Sequence, residues 1–269
     1  SIVTLNLTVN TTPAAPVVTN DSICAPGGTV NLLATGFNVQ WYDQLLGGNL
    51  INSGNTYTPN ISSNSTYYVT QEGGNGGTAS MPAQTGIFSG NSRGYWFTAP
   101  TNFTITSLKV PTTASSGNQS IAVLKFTGNT PPPVFSSTTN AFTTLFITQN
   151  NTTTGNISVN IPVQAGEVIG ILGVRNDVNS YSNTGNTITI NGNTVTLSRL
   201  GMQYTLSNTL PQNLWTESGN ISRVEFDYMI SNGCFSTPRV PVIGVVNPLP
   251  NMGTVSATPS TICIGDSSK

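Results

Sequence analysis

Apolar residues recur at every second position along most of this chain, and no stretch carries the three-to-four spacing of an amphipathic helix. Thr29–Ala34 and Val39–Asp43 alternate, with Val39 and Trp41 on one face. Leu45–Asn49 forms a turn into Leu50-Ile51, and Thr56–Pro59 and Thr66–Thr70 follow. Short strands separated by turn residues about every ten positions predict an antiparallel sandwich. Trp41 is expected in its core, because its strand position suits burial.

The pattern changes after the glycine-rich run Gly73–Gly77, which reads as a flexible connector. Phe103–Ile105 alternates. Ile121–Phe126 is almost continuously apolar and predicts a strand buried on both faces. Ile157, Val159, Ile161 and Val163 alternate strictly, and Glu167–Val174 follows an Ala165-Gly166 turn. Ile188 and Ile190 lead through Asn191-Gly192 to Val195 and Leu197, the signature of a tight hairpin. Arg223–Tyr228 closes the set. About ten strands without a helix predict a second all-β body, an antiparallel jelly-roll-like sandwich.

Only 6% of the 269 residues are charged and the net charge is −1. Nucleic-acid binding is not expected from such a surface. No apolar run reaches the roughly 20 residues that span a bilayer, so membrane insertion is not expected either. The chain contains no histidine, which removes histidine-based nucleophile systems and the usual histidine zinc sites. Three cysteines is an odd number. Cys263 opens a segment whose remainder is absent, so in a secreted protein the expected disulfide joins Cys24 to Cys234.

One motif is written twice. Asn10–Pro13 leads into Ser22-Ile23-Cys24, and Asn247–Pro250 leads into Thr261-Ile262-Cys263. Residues 1–9 and 240–246 both alternate as a final strand would. A tandem array is therefore expected. In it, residues 1–12 end a preceding repeat, 13–75 and 230–247 form one discontinuous sandwich, 76–229 form the inserted domain, and 248–269 are a linker and the next repeat's start. Residues 13–71 resemble the immunoglobulin-like repeats of very large surface proteins of gliding Bacteroidota. The resemblance is carried by Ile23-Cys24, Thr29–Gly36, Trp41–Asp43, Gly47-Gly48, Tyr57–Pro59 and Thr66–Val69. A segment like Asn232–Val242 normally follows Tyr-Tyr-Val within a few residues in such repeats. Its late arrival here points to an insertion before the last strand. The resemblance implies an extracellular, cell-surface location, export by the type IX secretion machinery and a part in gliding or attachment.

Three segments of the insert are candidate ligand contacts. In Arg93–Phe97, Tyr95 and Trp96 point to opposite faces, so one of them is available to stack on a sugar ring. Arg175–Tyr181 is rich in oxygen donors, and Arg175, Asp177 and Tyr181 suit a glycan. No cofactor is expected; calcium at this loop is the one exception the residues suggest, with a single carboxylate to hold it. Trp215 lies in a polar segment, Gln212–Glu217, that favours exposure. Glu225 and Asp227 share a strand face at a spacing near that of paired glycosidase carboxylates, but simple alternation explains them. Asp21-Ser22-Ile23 is similar to the O-glycosylation signal of the same bacterial group, with Ser22 as acceptor. The function expected is a non-enzymatic stalk segment of a giant adhesin or surface filament, partnered by neighbouring repeats and by polysaccharide. The alternatives are an accessory region of a carbohydrate-active enzyme, or a purely structural sheath or spacer.

Overall fold

The computed structural model describes residues 9–251, 253 and 263–265. The strand expected over residues 1–9 lies outside the described residues apart from Val9. So does the opening of the next repeat, apart from Cys263, Ile264 and Gly265. The described strands fall into two units: residues 15–71 with 237 onward, and residues 72–236 with the N-terminal segment.

The discontinuous unit is built from β1 (Val17–Thr19), β2 (Asp21–Cys24), β3 (Gly28–Thr29), β4 (Leu32–Thr35), β5 (Gln40–Tyr42), β6 (Leu50–Ser53), β7 (Thr56–Tyr57), β8 (Asn60–Ile61) and β9 (Ser65–Thr70). It is completed by the final strand, β25 (Val240–Asn247). One sheet has the order β1-β4-β7, and a second runs β2-β25-β9-β5-β6. Alternation on β4 buries Leu32 and Ala34 and exposes Leu33 and Thr35. Trp41 is fully buried among Val30, Val39, Ile61, Val69 and Val242, and its indole N–H donates to the Gly54 carbonyl at 2.8 Å. β25 pairs antiparallel with β9, matching Val240 to Val69, and parallel with β2, matching Cys24 to Asn247.

The structure does not show the expected disulfide between Cys24 and Cys234. Cys24, Cys234 and Cys263 are all free. Cys24 sits level with Asn247, the far end of β25 from where the chain arrives after Cys234. Cys234 itself belongs to a strand of the other unit. The last strand is held in place by backbone pairing on both of its edges rather than by a sulfur bridge.

The inserted unit holds β10 (Glu72–Ala79), β11 (Gly86–Ser89), β12 (Arg93–Thr98), β13 (Phe103–Lys109), β14 (Gln119–Phe126), β15 (Phe142–Asn151), β16 (Ile157–Val163) and β17 (Val168–Arg175). It continues with β18 (Val178–Ser182), β19 (Thr187–Ile190), β20 (Asn193–Thr196), β21 (Ser198–Gly201), β22 (Trp215–Glu217), β23 (Ile221–Ser222) and β24 (Glu225–Phe235). One sheet has the order β10-β24-β13-β16. The other contains the antiparallel run β15-β14-β17-β12-β21-β22. Ile105, Leu108 and Phe226 from the first sheet pack against Phe97, Ile121 and Ile171 from the second, forming the main core of a sandwich.

The glycine-rich connector proves to be a strand. β10 pairs with β24 from Glu72–Phe235 to Ala79–Phe226. Its glycines allow close approach: a Cβ on Gly77 would lie 2.6 Å from the Tyr228 hydroxyl, so the tyrosine covers the bare backbone opposite it. The unit therefore begins and ends outside the expected limits of 76 and 229.

β14 and β17 are buried on both faces, as continuous apolar runs predict. Ile121, Val123, Ile169 and Ile171 face the main core. Ala122, Leu124, Phe126, Leu172 and Val174 face a second core, closed by Met202, Leu206 and Leu214 from the segment between β21 and β22. The Asn191-Gly192 hairpin forms as its sequence predicts, with Ile190 paired to Asn193 and positive φ at both turn residues.

Candidate functional site

Three strands that are distant in sequence, β12, β21 and β22, lie side by side. Their registers make two cross-strand rows, Arg93–Gly201–Trp215 and Tyr95–Arg199–Glu217. Side chains two residues apart share a sheet face, so both rows project the same way. Gly201 is required in the first row. A Cβ there would lie 2.2 Å from Trp215 Cζ2, so only glycine lets the indole lie across to Arg93.

The result is a ladder of cations and rings. The Arg93 guanidinium lies 4.9 Å from the Trp215 ring on one side and 5.0 Å from the Phe88 ring on the other. Phe88 stacks on Tyr181 at 5.5 Å, with planes 6° apart. Arg199 lies over Tyr181 at 5.4 Å and donates from Nη2 to its hydroxyl at 2.9 Å. Phe135, half exposed, caps the far end against Trp215 at 5.0 Å. Such contacts are worth about 0.5–2 kcal/mol each, the larger values belonging to desolvated pairs like Arg93. Burial pulls the Arg93 guanidinium below its ordinary pKa, offset in part by Tyr181.

Beside this ladder opens a groove of about 410 Å³, within the range of small-ligand sites. Its walls include Trp96, Val134, Asn186, Arg199, Thr216 and Glu217. Arg199 Nη1 and Glu217 Oε1 form an ion pair at 2.7 Å. The Trp96 indole N–H donates to Thr216 Oγ1 at 2.8 Å, and that hydroxyl donates to the Arg199 carbonyl at 2.7 Å. These bonds fix the orientation of the Trp96 ring in the wall.

The structure thus brings residues of all three segments singled out in sequence into one ladder, with roles redistributed. Trp96 lines the groove. Trp215, expected to be exposed, is 2% exposed and serves as the floor of the ladder. Tyr95 is fully buried in the main core and donates to the Val224 carbonyl at 2.6 Å. Burial raises its pKa well above the usual tyrosine value, with the Glu225 charge adding to the effect. A raised folded-state pKa gives stability that is intact below the unfolded value near 10 and declines as pH rises past it. Tyr95→Phe is expected to cost about 1–3 kcal/mol at neutral pH by leaving the Val224 carbonyl unpaired. The same change should flatten the alkaline fall in thermal stability, which calorimetry from pH 8 to 11 reads directly.

The oxygen-rich loop from Arg175 to Tyr181 is corrected altogether. Asn176 and Asp177, both at positive φ, form a two-residue turn between Arg175 and Val178. Asn179, Ser180 and Tyr181 then enter β18 and are buried. Asn179 is held by donating to the Phe88 and Asn91 carbonyls and accepting from the Arg93 amide. Arg175 is fully buried and bonded to main-chain carbonyls. Asn179 and Ser180 are engaged within the fold, whereas Asp177 Oδ1 is buried without a partner; Tyr181 reaches Arg199 of the groove.

Glu225 and Asp227 do share a face, over a small recess of about 90 Å³. Asp227 accepts from Thr78, Ser107 and Asn156, while Glu225 pairs with Lys109 and Arg223. Ser22 is exposed on β2, where its amide donates to Asp21 Oδ1. Arg199, Asn186 and Val134 were not singled out in sequence. The available signal was Glu217, two residues from Trp215 and so on the same strand face.

Residues 13–87 match a family described as an Ig-like domain, CHU_C associated. The chain carries an Ig-like domain. The match covers β1–β9 and runs on into β10 and the start of β11, which the structure assigns to the inserted unit. The Ig-like domain takes its final strand instead from β25. No curated protein and no solved structure matches the chain. Among the described residues, no helix is long and apolar enough to cross a membrane.

Proposed function

We propose that this chain is a segment of a giant extracellular adhesin, in which the Ig-like domain is structural and the inserted sandwich displays a polysaccharide-binding groove. The observation that carries the reading is the groove itself, with the Trp96 ring held in its wall beside the Arg199–Glu217 pair. An aromatic wall with a few fixed polar groups suits a sugar, whose ring faces are apolar and whose edges are hydroxyls. The resemblance over residues 13–71 supports placement in a cell-surface repeat array exported by the type IX route. The low charge supports carbohydrate over nucleic acid as the partner. The Glu225–Asp227 pair, with both carboxylates engaged, adds nothing to an enzymatic reading.

The test is saturable binding of the chain to a panel of polysaccharides. Trp96→Ala should weaken binding at least about tenfold, equivalent to about 1.4 kcal/mol. Circular dichroism checks that the variant is folded. A folded wild-type chain that binds no member of the panel would overturn the reading.

A further inference from the structure

We infer that the groove selects a neutral, hydroxyl-bearing saccharide over uronate or sulfated polymers, with Glu217 as the residue that determines this specificity. The inference rests on the polysaccharide reading above and follows from which hydrogen-bonding groups the fold has already used.

Arg199 is the cation of the groove, and its charge is already matched by the Glu217 carboxylate. Nη1 is paired with Glu217 and Nη2 with the Tyr181 hydroxyl, while Nε is buried without a partner. A guanidinium clamps a carboxylate or sulfate through two parallel N–H bonds from one edge. Here the two terminal nitrogens are turned to different protein oxygens. Trp96 Nε1 and the Thr216 hydroxyl are likewise engaged with each other and with the Arg199 carbonyl. Asn186 Nδ2 donates to the Leu197 carbonyl.

Beside the second hydrogens left on the Arg199 and Asn186 nitrogens, the groove keeps acceptor capacity. The ion pair uses Glu217 Oε1, and the Glu217 side chain lines the groove and is 36% exposed, so Oε2 is left to accept. The Asn186 side-chain oxygen is also left over once its nitrogen is bonded. Acceptors call for a ligand rich in donors, which a sugar's hydroxyls supply. An anionic polymer would meet the Glu217 carboxylate with like charge, and the arginine in the lining is already paired with that carboxylate.

The experiment measures binding of the whole chain to a neutral β-glucan and to a polyuronate of matched length, at low and high salt. Wild type should bind the neutral polymer with little salt dependence and bind the polyuronate at least about tenfold more weakly. Glu217→Ala should lower neutral-glycan affinity by a similar factor. Glu217→Gln keeps an acceptor oxygen, removes the negative charge and frees Arg199 Nη1, so it should retain part of the neutral binding and gain polyuronate binding that salt suppresses. The ion pair is part-buried, so circular dichroism checks that each Glu217 variant is folded. Wild-type preference for the polyuronate would overturn the inference and leave the polysaccharide reading standing. Unchanged neutral affinity in Glu217→Ala would also overturn the inference alone. Binding to neither polymer, nor to any other glycan, would overturn both.

Discussion

Arg175→Met unfolds the inserted sandwich at temperatures where the wild type is stable, with an expected loss of about 3–5 kcal/mol. Arg175 is fully buried at the end of β17. Its Nε and Nη2 donate to the Val110 carbonyl, and Nη1 donates to the Gly117 carbonyl at 2.7 Å. Nη2 also reaches Gln119 Oε1 and the Thr154 carbonyl, both at 3.2 Å. Gln119, equally buried, extends the network to the Thr153 and Gly155 carbonyls. One guanidinium therefore ties the segments following β13 and β15 to the ends of β14 and β17. Methionine fills similar volume but leaves these carbonyls buried without donors, at about 1–3 kcal/mol for each left unsatisfied. Lysine offers a charge but not a planar fork, so Arg175→Lys should recover only part of the loss. Thermal melting of the three proteins makes the comparison. A methionine variant as stable as wild type would show that water replaces the guanidinium without cost.

Arg175 also illustrates where sequence reading stops. Placed after an apolar run and before Asn-Asp, it read as the start of a polar loop. Nothing local says that the turn takes only two residues or that the arginine points inward. Patterns that depend on one strand were legible: the double-sided burial of β14, the Asn191-Gly192 hairpin and the Trp41 core position. The late return of the Ig-like domain's last strand was legible too, because a family pattern was interrupted. Features that depend on register between distant strands were not. The groove needs β12, β21 and β22 in alignment, and Gly201 matters only because Trp215 crosses it. The second core relies on Met202, Leu206 and Leu214, isolated apolar residues in a segment without periodicity. The glycines of β10 run against strand propensity, and at Gly77 the Tyr228 side chain covers the bare backbone. Cysteine parity suggested a disulfide but carries no information on strand direction, which places Cys24 at the Asn247 end of β25.

A chain ending at Ser236 should keep a folded inserted sandwich and lose the Ig-like domain entirely. β25 is an interior strand of its sheet, hydrogen-bonded to β2 on one edge and β9 on the other. It also brings buried Val242 into the core, with Val240 and Val246 packed alongside. A domain of this size buries too little surface to survive the loss of a central strand. The converse construction should fold: residues 15–70 joined through Asn-Gly to residues 239–251. Val69 already faces Val240, so a two-residue turn closes β9 and β25 into an ordinary hairpin. A flexible loop grown from such a turn to the length of the insert spans roughly six doublings, a closure cost of about 4 kcal/mol. The folded insert avoids most of that cost, because β10 and β24 pair from Glu72–Phe235 onward and return the chain beside the point where it left. Neighbouring strands lie about 4.8 Å apart, the separation a hairpin needs. The two units should therefore melt independently, and excising the insert should shift the Ig-like transition by no more than a few degrees in calorimetry. An excised domain that stays unfolded would show that the insert supplies contacts the Ig-like core lacks.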